Sequence, residues 1–199
     1  MYTVRIDPAW QTLAEDFATR TIESRMSKLK SRGQSNISKI SQDIVSGALA
    51  EFGVRDILRR HLEYDTVSEP DLNLYVGKQK SFSADLVGTV HGDSHLVHVK
   101  SYSNPKWSSW VFTYNPDRGD VDVLIESPKI NDYLALTYVD LIGGTVSLRY
   151  YLQAGKVLNC YRPPILPQLK FSKVVLYPED LDRVVDCSLR QPSVLSRTC

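Results

Sequence analysis

The chain has 199 residues, 42% hydrophobic and 24% charged, a size and balance that suit one folded domain and exclude a disordered chain. No apolar run approaches the roughly 18 residues of a bilayer span. Residues 1–10 lack the basic stretch and apolar core of a secretory signal, so a cytoplasmic protein is expected. The net charge of +1 hides a pattern, because residues 1–62 carry 10 basic and 7 acidic side chains, residues 63–145 carry 6 and 12, and residues 146–199 carry 8 and 4. An acidic middle suits a divalent cation and basic ends suit phosphates, although ordinary solvated faces give the same distribution. Cys160, Cys187 and Cys199 are odd in number and lack CxxC spacing, so they read as free thiols.

Asp7 and Pro8 open a first helix as N-cap and first helical residue, and Trp10, Leu13, Phe17, Ile22, Met26 and Leu29 follow at near-helical spacing over residues 8–30. Residues 31–35 break it. A second helix carries Ile37, Ile40, Ile44, Ala48, Phe52 and Ile57 as far as Leu62. From Leu72 the period becomes alternating, with strands expected at 72–77, 81–90 and 95–102. The last two close a hairpin through His91, Gly92, Asp93 and Ser94, in which Gly92 and Asp93 are expected to take positive φ. Trp110, Phe112 and Tyr114 alternate in another strand, and residues 134–141 and 145–152 form a second hairpin across Gly143 and Gly144. A proline-rich loop at 161–168, a strand at 173–177, a short helix from Pro178 and a frayed tail complete the chain. These elements predict an α/β fold in a single domain over 1–199: a helical N-terminal segment (1–34), a core (35–102) and the remaining sheet and C-terminal elements (103–190).

A hairpin closed on Gly92 and Asp93 makes opposed residue numbers sum to 185, which sets Asp85 against Lys100 and Val87 against His98. Asp85, His98 and Lys100 then share one face, while Ala84, Leu86, Val90, Val97 and Val99 form the other, to be buried against a helix. In the second helix Glu51 interrupts the row Ile40, Ile44, Gly47 and Ala48 with a charge, costly when half-buried unless it is paired or binds a metal. Gly47, one turn earlier, leaves open space beside it. A rim pair with Arg55 at i+4 is the alternative. Asp120 and Asp122 read as solvated loop acids, His91 and Asp93 as turn residues, and Trp107, Trp110 and Tyr114 as core more than as base-stacking residues.

On SQDIVSGALAEFGVRDILRRHL with Glu51, SADLVG with Asp85 and HVK with His98 and Lys100, residues 35–102 resemble the PD-(D/E)XK nucleases. The resemblance covers about a third of the chain. It implies a restriction-endonuclease-like core, a mixed central sheet flanked by helices, with catalytic residues Glu51, Asp85, His98 and Lys100. Glu51 and Asp85 would hold Mg²⁺ or Mn²⁺, and Lys100 would orient the attacking water. His98 stands where that family carries an acid. Imidazole suits Mn²⁺, Fe²⁺ or Zn²⁺ better than Mg²⁺, and it can ligate the metal, hold a metal-bound water or act as a base. A second departure is the segment 103–132, aromatic and proline-containing where that family has a helix.

Phosphodiester hydrolysis asks for these residue types on its own account. A divalent cation polarises the anionic phosphate and acidifies a bound water, carboxylates are its natural ligands, and an ammonium balances transition-state charge. Arg55, Arg59, Arg60 and Lys106 are the expected phosphate contacts. The resemblance implies a sequence-specific endonuclease of restriction or homing type, acting on double-stranded DNA as a homodimer because one site cuts one strand. The alternatives are a catalytically inactive DNA-binding or assembly protein on the same fold, and an RNA-directed nuclease. Walker A, GxGxxG, GxSxG and zinc-finger spacings are absent, which removes kinase, dehydrogenase and serine-hydrolase readings.

Overall fold

Helix α1 (Pro8–Ser31) starts where its cap dictates, since Asp7 Oδ1 accepts the Ala9 N–H at 2.8 Å. Helix α2 (Ile37–His61) is capped by Asn36, whose side chain accepts the Lys39 N–H at 3.0 Å. Its last turn carries Arg59, Arg60 and His61, cations at the negative end of the helix dipole. The computed structural model describes residues 1–31, 34–75 and 83–189, so the expected tail and parts of the 72–77 and 81–90 segments lie outside it. No helix of the described residues is long and apolar enough to cross a membrane.

The main sheet contains β1 (Tyr2–Arg5), β2 (Thr66–Val67), β3 (Leu86–Val90), β4 (Asp93–Tyr102), β7 (Asp132–Asp140) and β8 (Thr145–Gln153), in the order β1-β8-β7-β4-β3-β2. β4 and β7 are parallel and the other pairs antiparallel, giving the expected mixed sheet. A smaller sheet, β6-β5-β9, joins β5 (Trp110–Asn115), β6 (Asp120–Val121) and β9 (Lys173–Leu176). Two further helices are the short α3 (Val123–Glu126) and α4 (Pro178–Leu189). Residues 72–75 form no strand, contrary to their alternating pattern.

Two apolar layers cover the main sheet. On one face Val54, Ile57 and Leu58 of α2 pack with Leu86, Val97, Ala135 and Leu148. On the other, Leu134 and Leu136 pack with Trp110, Phe112, Leu124, Leu176 and Leu181. Leu134, Ala135 and Leu136 are consecutive and all fully buried, the pattern of a strand covered on both faces. Each such leucine contributes about 1.5–3 kcal/mol by leaving water. α2 lies close against β8 at Gly53, where an added Cβ would lie 2.6 Å from the Val146 side chain. A Cβ at Gly47 meets nothing within 4 Å, the open space expected there.

The hairpin register differs from the expected one. Leu86 pairs with Val97 and Val90 with Asp93, so the sum is 183 and the turn is His91-Gly92, with φ of 52° and 87°. Two positive φ values in a two-residue turn match the strand twist, and His91, rather than Asp93, takes the first of them. The offset is a full pleat period, so the strand faces are unchanged.

Alanine at Gly53 is expected to cost about 1–3 kcal/mol through overpacking against Val146, whereas alanine at Gly47 should add about 0.5–1 kcal/mol through helix propensity; urea unfolding at neutral pH measures both. Tyr161 lies edge-on to Phe112 with its hydroxyl buried and without a hydrogen-bond partner among the described residues. Burial first, then the charges of Asp122 and Cys160, push this phenol above its ordinary pKa. The unfolded chain therefore ionises first, so stability present below about pH 10 is lost as pH rises through the folded pKa. Tyr161→Phe should gain about 1 kcal/mol at pH 7 by removing the orphaned hydroxyl and should lose stability less steeply above pH 10, as read from urea midpoints across pH 8–11.

Candidate functional site

Asp85 lies one residue before β3, where its N–H donates to the Val97 carbonyl at 3.0 Å and its Oδ2 accepts the Val99 N–H at 2.7 Å. The carboxylate thus sits on the backbone between His98 and Lys100, and does not stand across the ladder from Lys100 as expected. Val99 also packs against the cluster that contains Ala48 and Leu49 and against the one that contains Val54 and Leu58. Glu51 lies on α2 between those turns, on a half-buried flank with Ile44, Gly47 and Arg55. Arg55, its expected rim partner, pairs with Glu69.

Lys100 projects toward the small sheet. Its Nζ is 3.5 Å from Asp122 Oδ2 and 5.2 Å from the centroid of the Phe112 ring, a cation–π distance. Asp122 is buried rather than solvated, because it caps α3: its Oδ1 accepts the Leu124 N–H at 3.2 Å. An acid directly before the apolar run Val123-Leu124-Ile125 is an N-cap signal, so this position was legible. Lys173 joins the same region, its Nζ donating to Thr113 Oγ1 at 3.0 Å. Burial, followed by the charge of Lys100, lowers the Lys173 pKa, while Asp122 and Asp120 act in the opposite direction. No sequence signal distinguished Lys173 from any other strand-end lysine.

His98 shares the Lys100 face but is buried, with Nε2 3.4 Å from Asp132 Oδ1, while Asp132 Oδ2 accepts the Lys129 N–H at 2.6 Å. The imidazole is directed at β7, away from Asp85. Among the described residues no group of three or more His, Cys, Asp and Glu side chains gathers as a metal site.

The expected phosphate contacts do not form one surface. Arg55 is largely buried beside Glu69. Arg60 is exposed and paired with Asp56 at 2.7 Å, a surface contact of about 0.3–0.5 kcal/mol that a phosphate readily replaces. Arg59 and Arg60 end α2, whereas Lys39 near its start lies roughly 30 Å away along the axis. Lys39 and Lys106 instead line an open groove of about 640 Å³ with Ser101, Tyr102, Val111 and Ile165, alongside the end of β4 that follows Lys100. The structure therefore brings Lys106 to the Lys100 end of β4 and leaves the arginines elsewhere. Trp110 and Phe112 are core residues, Tyr114 is exposed, and the Trp107 side chain lies outside the described residues.

No family model matches this chain, and no curated protein matches it. Among solved structures it is similar to a bacterial homing endonuclease, I-Ssp6803I, at 20% sequence identity over 67% of this chain and 73% of that one, with a TM-score of 0.33. A likeness of that size carries no functional inference.

Proposed function

We propose that the protein is a divalent-metal-dependent endonuclease hydrolysing phosphodiester bonds of double-stranded DNA. The observation that supports this most is the Asp85 carboxylate fixed on the Val99 amide, next to Lys100 on the same hairpin. The backbone hydrogen bond removes the entropy of placing the carboxylate, and Lys100 follows Val99 on the same strand. Glu51, half-buried on α2, supplies a second acid. These two carboxylates suit Mg²⁺ or Mn²⁺, which takes one or two such ligands and leaves its other positions to water and phosphate. A bound ion would supply charge neutralisation and a more acidic water.

The chain's own groups do the rest. Lys100 orients the nucleophile and balances charge on the phosphate. Asp85 keeps its position through Val99. His98, proposed from the sequence as a third ligand, is assigned here to fixing β4 against β7 through Asp132, because its imidazole is buried and turned that way. Sequence specificity and action as a homodimer belong to the same proposal, since duplex cleavage needs two sites.

A DNA-binding protein without catalysis is the second reading, favoured by the engagement of Lys100 with Asp122. Cleavage of long duplex DNA with Mg²⁺, Mn²⁺ or EDTA separates the two. Discrete fragments are expected with metal, falling in rate by on the order of 10²–10³ in Asp85→Ala and Lys100→Ala. Intact DNA in every metal, from folded protein that binds it, leaves the non-catalytic reading.

A further inference from the structure

Lys173 belongs to no expectation drawn from the sequence, yet three contacts bring it to the neighbourhood of Lys100. Thr113 and Lys173 are register partners of β5 and β9, joined by the Nζ–Oγ1 hydrogen bond of 3.0 Å. The Thr113 carbonyl accepts the Asp122 N–H at 2.9 Å, and Asp122 faces Lys100 at 3.5 Å. Phe112, adjacent to Thr113, lies beneath the Lys100 ammonium. Two cations and the Asp122 carboxylate thus converge on one stretch of β5.

This convergence is only partly compensated within the protein. Both oxygens of Asp122 are engaged, one by the Leu124 N–H and one by Lys100. Lys173 has a hydroxyl as its hydrogen-bonded partner; burial and then the charge of Lys100 work against its protonated form, and Asp122 and Asp120 offset this only in part, since its pKa is lowered. Holding two ammonium groups near each other in a half-buried setting costs stability, and an arriving anion relieves that repulsion. The location also fits an extended ligand. Thr113 and Lys173 are two residues from Val111 and Val175, so all four share a face of the small sheet, and Val111 and Val175 line the groove that also holds Lys39 and Lys106. A polyanion lying in that groove reaches Lys173 by continuing along the face of Val111 and Val175.

We infer that Lys173 is a phosphate-contacting residue, binding the backbone of the same nucleic-acid strand that Lys100 serves at the Asp85 hairpin. The inference rests on the proposed nuclease function. Because the contact is made to phosphate, it adds affinity without base preference and appears in the salt dependence of binding.

The test is fluorescence anisotropy of a labelled duplex in EDTA at several salt concentrations, with the full chain, Lys173→Met, Lys173→Gln and Lys173→Arg. Thermal melts of each protein alone accompany it. Loss of one phosphate contact should make the slope of log K against log salt shallower by about 1 in Lys173→Met and Lys173→Gln, and Lys173→Arg should keep the parent slope. The free Lys173→Met protein should melt no lower than the parent, since repulsion with Lys100 is removed. A parent slope retained in folded Lys173→Met and Lys173→Gln overturns the inference whatever the melting temperatures. If such variants also cut DNA as the parent does, the nuclease reading survives it. A parent that neither binds nor cuts nucleic acid defeats the nuclease reading itself, and this inference with it.

Discussion

Strand β4 is held on four sides: by β3 and β7 through backbone hydrogen bonds, by α2 on one face and by the small sheet on the other. β3 begins at Leu86 while β4 runs on to Tyr102, so beyond Val97 one edge of β4 has no ladder partner from β3. The Val99 N–H faces that gap, and leaving it unpaired would cost about 1–3 kcal/mol. Asp85 fills it with a carboxylate oxygen. One hydrogen bond therefore completes the backbone and fixes an acid beside Lys100, and the placement of the candidate site depends on it.

The charges of His98 and Lys100 arise from the same enclosure. His98 and Lys100 must lie between two sheets, where an unmatched polar group is expensive. His98 meets Asp132 and Lys100 meets Asp122. The two pairs differ in depth. The His98 pair is buried and locks β4 to the start of β7, whereas the Lys100 side chain keeps 31% of its surface exposed. Lys173 sits at that accessible end.

Much of this organisation was legible in the sequence for definite physical reasons. Asp7, the break after Ser31 and the apolar rows marked both long helices, and strict alternation with Gly143 and Gly144 marked the second hairpin. Glu51 beside an open Gly47 was visible because a charge and a glycine interrupted one stripe. The hairpin of the candidate site was visible, but its register was not: assigning positive φ to Asp93 in place of His91 displaced every pairing by two. β1 and β2, with 4 and 2 residues, are too short for alternation to declare them. Asp122 and Asp132 meet Lys100 and His98 only through long-range packing, which no local pattern encodes.

Manganese binding by isothermal titration, comparing the parent with Asp85→Ala and His98→Gln, tests the central assignment of the metal to the Asp85 side of β4. Binding should be lost in Asp85→Ala and retained in folded His98→Gln, since His98 is directed at Asp132. Binding of Mn²⁺ by Asp85→Ala with the parent's affinity, or its loss in folded His98→Gln alone, would contradict that assignment and move the metal to the His98–Asp132 pair.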